Sequence, residues 1–151
     1  MENKKIKGAK ISEYNNIKFK SSLECSCYKK LELSGLEFSY ESERIVLWEG
    51  VKPQSVKIYS PKKIKAGKYD RNLELQTRTL LNITYTPDFV INKNNYKIYF
   101  DVKGKENDVY PIKKKMFLKT LEERNDGINY LFFEPHNIRQ MLQAIEIIKK
   151  L

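Results

Sequence analysis

Apolar positions fall into short runs separated by polar, proline- or glycine-marked breaks, and their spacing predicts an alternation of helices and strands. The densest run gives a hairpin. Val90, Ile91, Tyr96, Ile98, Tyr99, Phe100 and Val102 are aliphatic, β-branched or aromatic, and the Asn-rich stretch between them marks a turn. A two-residue turn at Asn94-Asn95 suits asparagine, which visits left-handed backbone. That turn sets Lys93 opposite Tyr96, Phe89 opposite Phe100 and Asp88 opposite Asp101. Upstream, Leu23, Cys27 and Leu31, with Tyr28, form one face of a helix. It opens on the capping-box pair Ser21 and Glu24 and stops near Ser34 with Gly35 as its C-cap.

Between the helix and the hairpin, Leu36–Tyr40 predicts a strand continuing toward Ile45–Trp48. Val56, Ile58 and Tyr59 allow a short strand, and Leu73–Thr84 returns as a strand into the hairpin. After it, Asp108 is placed to cap a helix running to about Glu123, with Pro111 tolerated in the first turn. Ile112, Met116, Phe117 and Leu121 are its expected core face. Tyr130–Phe133 is a continuous apolar run of the kind that suits a buried central strand. A last helix begins at Pro135 and aligns Ile138, Met141, Leu142, Ile145 and Ile148 on one face. This order predicts an α/β domain, a mixed β-sheet flanked by helices, spanning 1–151 as a single unit.

Composition adds a partner. Lys+Arg 29 against Asp+Glu 19 leaves +10, which points to a polyanion, nucleic acid before membrane, since no long apolar run exists. The excess is uneven. Residues 1–18 hold Lys4, Lys5, Lys7, Lys10 and Lys18 with little periodicity and predict a loose basic arm. Residues 52–71 hold Lys52, Lys57, Lys62, Lys63, Lys65, Lys68 and Arg71 against Asp70 alone, broken by Pro53, Pro61 and Gly67. This basic excursion is either a DNA-contacting segment or a solvated loop. Cys25 and Cys27, the only cysteines, point apart on a helix and fit a reducing cytoplasm. With His136 far off at the start of the last helix they make no zinc site.

The candidate chemistry sits on the hairpin. Asp101 and Lys103, two apart, share a face, and Asp88 is set opposite Asp101 at a Cβ separation of about 5 Å. Two carboxylates that close repel each other, and a divalent cation between them relieves the repulsion. Mg²⁺ is a hard ion that takes carboxylate oxygens, water and substrate phosphate. The alternative is a surface hairpin with a cross-strand Asp–Lys pair.

Pro87-Asp88 and Asp101-Val102-Lys103 resemble the Pro-Asp…(Asp/Glu)-x-Lys signature of restriction-endonuclease-like nucleases. Phe19-Lys20-Ser21-Ser22-Leu23-Glu24, Tyr85-Thr86-Pro87-Asp88-Phe89 and Asp101-Val102-Lys103-Gly104 resemble, in order, three blocks of the phage endonuclease I family of four-way-junction resolvases. They also resemble a family of small phage proteins predicted to be nucleases, to which Val109–Phe117 is closer. The resemblance covers about half the chain. It implies a restriction-endonuclease-like core and a phage origin, with Glu24, Asp88, Asp101 and Lys103 as the catalytic set. Asp88, Asp101 and Val102, the residue after Asp101, are the metal set, for Mg²⁺ with Mn²⁺ as substitute. Glu24 alone is fully explained as a capping residue, and the two roles are compatible.

The expected activity is metal-dependent endonucleolytic cleavage of branched or structured DNA, leaving by resemblance 5′-phosphate and 3′-hydroxyl ends. The candidate DNA-contacting residues are Lys20, Lys62, Lys63, Lys65, Arg78, Lys105, Lys113 and Lys114; Arg78 either grips a phosphate bidentately or lies on the surface. Junction resolution implies a homodimer, with the Ile45–Trp48 strand or the final helix as its contact. Strand exchange, which occurs in endonuclease I, stays open because the segment between Glu24 and Asp88 is longer here. The rival readings are a catalytically inactive DNA-binding protein and a virion or assembly protein retaining the fold.

Overall fold

The computed structural model describes residues 11–151. In chain order they form β1 (Ser12–Tyr14), β2 (Ile17–Phe19), α1 (Ser22–Ser34), β3 (Phe38–Tyr40), β4 (Ile45–Trp48), β5 (Ile58–Lys65), β6 (Lys68–Gln76), β7 (Ile83–Tyr85), β8 (Phe89–Lys93), β9 (Tyr96–Phe100), α2 (Tyr110–Glu122), β10 (Asn129–Phe133) and α3 (Ile138–Lys149). They divide into two compact units, residues 11–45 with 85–151, and residues 46–84.

The first unit is built on a mixed four-stranded sheet in the order β10-β9-β8-β3. β8 and β9 pair antiparallel in the register that a turn at Asn94-Asn95 dictates, with Phe89 opposite Phe100 and Lys93 opposite Tyr96. Asn94 takes the left-handed backbone, φ 53°. Alternation then splits the hairpin. Phe89, Ile91, Ile98 and Phe100 join Cys27 and Leu31 of α1 and Met141, Ala144, Ile145 and Ile148 of α3 in one apolar cluster. The opposite side presents Tyr99, which meets Phe117 of α2 edge-on with ring centroids 5.2 Å apart. Helices therefore cover both sides of the sheet, the expected α/β arrangement. None of the helices among the described residues is long and apolar enough to cross a membrane.

α1 starts and stops where its sequence signals lie. Ser21 is the N-cap, its side chain accepting the Glu24 N–H, and Gly35 closes the helix at φ 74°, a backbone that glycine adopts without a Cβ clash. Cys25 and Cys27 are free thiols and both are buried.

Other elements differ from the sequence expectation. Of the expected basic arm, residues 1–10 lie outside the described residues, but 12–19 pair as the β1–β2 hairpin. The strand from Leu36 does not run on to Trp48: Glu41, at φ 45°, separates β3 from β4. β10 is an edge strand, paired in parallel with β9 alone, because the sheet's central positions are taken by the β8–β9 hairpin. α2 is not capped by Asp108. Asn107 accepts from the N–H groups of Val109 and Tyr110 and takes that task one residue earlier. Ile112 is 61% exposed on α2 and Leu142 44% exposed on α3, since each lies on the flank of its helix rather than beneath it.

In the second unit β5 and β6 form a long antiparallel ribbon, Ile58 opposite Gln76 and Lys65 opposite Lys68. The basic excursion is thus largely a hairpin rather than a loop, with Gly67 at φ 71° in the turn and irregular register after Pro61. β6 ends at Gln76, so Leu73–Thr84 is not one strand. β7 begins afresh at Ile83 and pairs with β4.

Candidate active site

Asp88 precedes β8 and Asp101 follows β9, so the hairpin register brings them to the same end of the sheet. Asp101 is 1% exposed and Asp88 6%. The segment 101–103 lies beyond the strand, yet it stays extended because the Asp101 N–H donates to the Phe133 carbonyl and the Lys103 N–H to the Pro135 carbonyl. That keeps the two-residue alternation intact, and Lys103 Nζ lies 2.6 Å from Asp101 Oδ1. The second oxygen of Asp101, Oδ2, accepts the Tyr85 hydroxyl. Asp88 Oδ2 accepts the Val102 N–H at 2.7 Å.

Glu24 enters from the first turn of α1 and is 7% exposed. It is tied down from three directions. Its Oε1 accepts the Ser21 hydroxyl at 3.1 Å, and its Oε2 accepts the Lys20 N–H at 3.3 Å and the Tyr40 hydroxyl at 3.0 Å. The reciprocal capping expected from Ser21 and Glu24 is present, but the backbone donor to the glutamate is Lys20 rather than the cap residue itself.

The electrostatics join these groups into one site. Burial, then the charge of Asp101, hold the Asp88 carboxyl well above the usual aspartate range; Lys103 acts in the opposite direction, and Glu24 adds to the rise. Burial and the charges of Asp88 and Glu24 likewise push the Cys27 thiol up to about 12, which leaves it an inert core residue. Burial and Asp101 raise the Tyr85 phenol, and burial and Glu24 raise that of Tyr40, so both hydroxyls remain proton donors.

A second tier surrounds Lys103. Its ammonium sits 4.4 Å from the ring centroid of Tyr110, a cation–π contact. The Tyr110 hydroxyl donates to Glu134 Oε2, which Lys114 also reaches at 2.6 Å. Burial pushes Glu134 up, but hydrogen bonds from Lys114, Tyr110 and His136 outweigh it and hold the carboxyl below its usual range.

Asp101 and Glu24 therefore both act on Asp88, Lys103 opposes them from its place beside Asp101, and the Lys20 amine also feels Asp88 and Glu24. Burial first, and the charges of Asp101 and Glu24 after it, raise Asp88. A divalent cation with a preference for hard oxygen donors fits this set, which offers carboxylate oxygens and, at Val102, a main-chain carbonyl. Among the described residues the group of three acidic or histidine side chains whose ligand atoms lie within 4.8 Å of one another is Glu106, Glu134 and His136, in which Glu134 is already engaged by Lys114 and Tyr110; Glu24, Asp88 and Asp101 do not come that close as a set of three.

The candidate DNA contacts are scattered more widely. Lys20 is exposed at the rim and pairs with Glu41. Burial lowers its amine and Glu41, Asp88 and Glu24 more than restore it, leaving it raised. Lys105 is exposed just beyond Lys103, while Lys113 and Lys114 are half-buried on α2. The expected basic flank of α2 is thus partly neutralised, by Glu134 at Lys114 and by Glu123 at Lys119. Lys62, Lys63 and Lys65 lie exposed on β5 and Arg78 between β6 and β7, all in the second unit.

Tyr40, Tyr85, Tyr110 and Glu134 carry no role in the sequence reading. Tyr85 opens the Tyr85–Phe89 block but nothing there gives it a role, and nothing distinguishes the others among ten tyrosines and a surplus of charged residues; only packing shows which hydroxyls reach a carboxylate. Comparison with models of known protein families, with characterised proteins and with solved structures gives no match to this chain.

Proposed function

We propose that the protein is a Mg²⁺-dependent DNA endonuclease of restriction-endonuclease-like fold, acting on branched or structured DNA. The observation that carries this reading is the buried pair Asp88 and Asp101 with Lys103 2.6 Å from Asp101. Burying two carboxylates side by side is unfavourable unless cations or donors compensate, and here Lys103, the Tyr85 hydroxyl and the Val102 N–H do so. A chain with a +10 charge that exists only to hold DNA has no need of such a cluster, which repels phosphate.

In this reading Asp88 and Asp101, with the Val102 carbonyl, would hold the metal, and Glu24, its oxygens engaged by Ser21, Lys20 and Tyr40, would add its charge beside them. The bound cation supplies charge neutralisation at the phosphodiester and makes water more acidic. Lys103, held between Asp101 and the Tyr110 ring, orients the attacking water and stabilises negative charge developing on the phosphoryl oxygens. Lys20 and Lys105, exposed near the site residues, contact flanking phosphates.

The test is a nicking assay on linear, flapped and four-way DNA with and without Mg²⁺. Cleavage should require the metal, and Asp101→Asn and Lys103→Ala should each abolish it. Asp101→Asn should bind DNA as well as the wild type or better, because a negative charge near phosphate is gone. Wild-type rates in either variant would remove these residues from catalysis. Metal-independent DNA binding without cleavage would favour the inactive DNA-binding alternative.

A further inference from the structure

We infer that Tyr85 is a positioning residue for Asp101, its phenol fixing which carboxylate oxygen faces Lys103 and a divalent cation; this rests on the metal-dependent reading of the site. The Asp side-chain carboxylate turns about a broad, roughly two-fold torsion and has no strong preference of its own. Here its two oxygens are distinguished. Oδ2 takes the Tyr85 hydroxyl and Oδ1 takes Lys103. Lys103 is a flexible side chain 21% exposed, whereas Tyr85 is rigid.

That rigidity is visible in the packing. Tyr85 is 6% exposed and its ring stacks on Phe117, centroids 4.6 Å apart and planes 29° from parallel. Phe117 is wholly buried and is itself wedged edge-on against Tyr99 at 5.2 Å and Phe132 at 5.9 Å. The phenol is therefore held by a block of aromatic rings spanning α2, β9 and β10. Its hydroxyl donates to Asp101 Oδ2 from this fixed position. Asp88 has a comparable fixed donor in the Val102 N–H. Each carboxylate of the pair thus has one oxygen clamped by a rigid donor and its other oxygen left to the site. Partners that orient metal-binding side chains in this way contribute about ten- to a hundredfold to metal affinity or activity.

Tyr85→Phe keeps the ring and its stack and removes only the hydroxyl. Isothermal titration with Mn²⁺, in wild type, Tyr85→Phe, Asp101→Asn and Tyr130→Phe, tests the inference. Tyr130 supplies the control, since its hydroxyl bonds Asp126 at the surface. Tyr85→Phe should weaken Mn²⁺ binding about ten- to a hundredfold and lose cleavage at low metal, and saturating Mn²⁺ should return the rate toward wild type. Tyr130→Phe should bind as wild type. Mn²⁺ affinity unchanged or increased in Tyr85→Phe, with Asp101→Asn impaired, overturns the role of Tyr85 and leaves the site reading standing. Wild-type affinity in Asp101→Asn overturns the site reading itself. Should circular dichroism show Tyr85→Phe unfolded, Phe117→Leu serves in its place. It loosens the stack behind the phenol, so a smaller loss of Mn²⁺ affinity supports the inference and an unchanged affinity overturns it.

Discussion

Glu24 stands in two systems at once, the first turn of α1 and the candidate site, and a pair of substitutions separates them. Glu24→Ala removes the acceptor of the Lys20 N–H, the Tyr40 hydroxyl and the Ser21 hydroxyl together. The Tyr40 hydroxyl and the Lys20 N–H are only partly reachable by water, so the expected loss is about 2–3 kcal/mol, the combined scale of a lost cap and an unpaired polar group. Relief of the charge that Glu24 exerts on Asp88 offsets a little of this. Glu24→Gln is different. With its carbonyl oxygen in the place of Oε2 it still accepts from Lys20 and Tyr40, and its amide nitrogen faces Ser21 Oγ, which reverses from donor to acceptor. What disappears is the negative charge at a helix N-terminus and the charge assistance of those bonds, about 1 kcal/mol or less. Urea unfolding should therefore rank wild type, Gln, Ala in falling stability, with Gln close to wild type. Cleavage should be lost in both, because an amide is a poor substitute for a carboxylate in a metal-binding set. A Gln variant that cleaves like wild type would reduce Glu24 to a capping residue. A Gln variant as unstable as Ala would refute the idea that Lys20 and Tyr40 need only an acceptor oxygen at this position.

Three further outcomes are expected. Because the native Asp88 carboxyl is raised, the folded state holds its proton more tightly than the unfolded chain. Its contribution is therefore complete below the unfolded value of about 3.9 and is lost as pH rises through the native value. In chelator, thermal melts from about pH 4 to pH 8 should show wild type losing stability relative to Asp88→Asn as pH increases, and parallel curves would contradict that. Mn²⁺ should support cleavage, and Ca²⁺ should bind without turnover because its loose coordination positions water poorly; calorimetry unchanged by Asp88→Ala would place the metal elsewhere. Resolution of a four-way junction needs two sites related by a two-fold axis, and Trp48 at 39% and Ile147 at 50% exposure remain available for a contact. Light scattering with junction DNA should give a dimer, and a strict monomer would restrict the activity to nicking or flap cleavage.

The sequence by itself determined what depends on neighbours in the chain. A capping pair and a following glycine bounded α1 at Ser21 and Gly35, and asparagines at the turn set the β8–β9 register residue by residue. That register in turn aligned Asp88, Asp101 and Lys103, because a period of two leaves no freedom in which side chains share a side. Tertiary structure decided the remainder. The apolar run Tyr130–Phe133 suits a buried central strand, and only the pairing of strands, β9 with β8 on its other side, left β10 at the edge. Ile112 and Leu142 match the helical period yet stay exposed, because the width of the buried stripe depends on what the helix packs against. The support of the site is of the same kind. Tyr85 is sixteen residues from Asp101 and Tyr40 sixteen from Glu24, and a hydroxyl becomes a carboxylate's partner only when separate elements bring the two within hydrogen-bond reach.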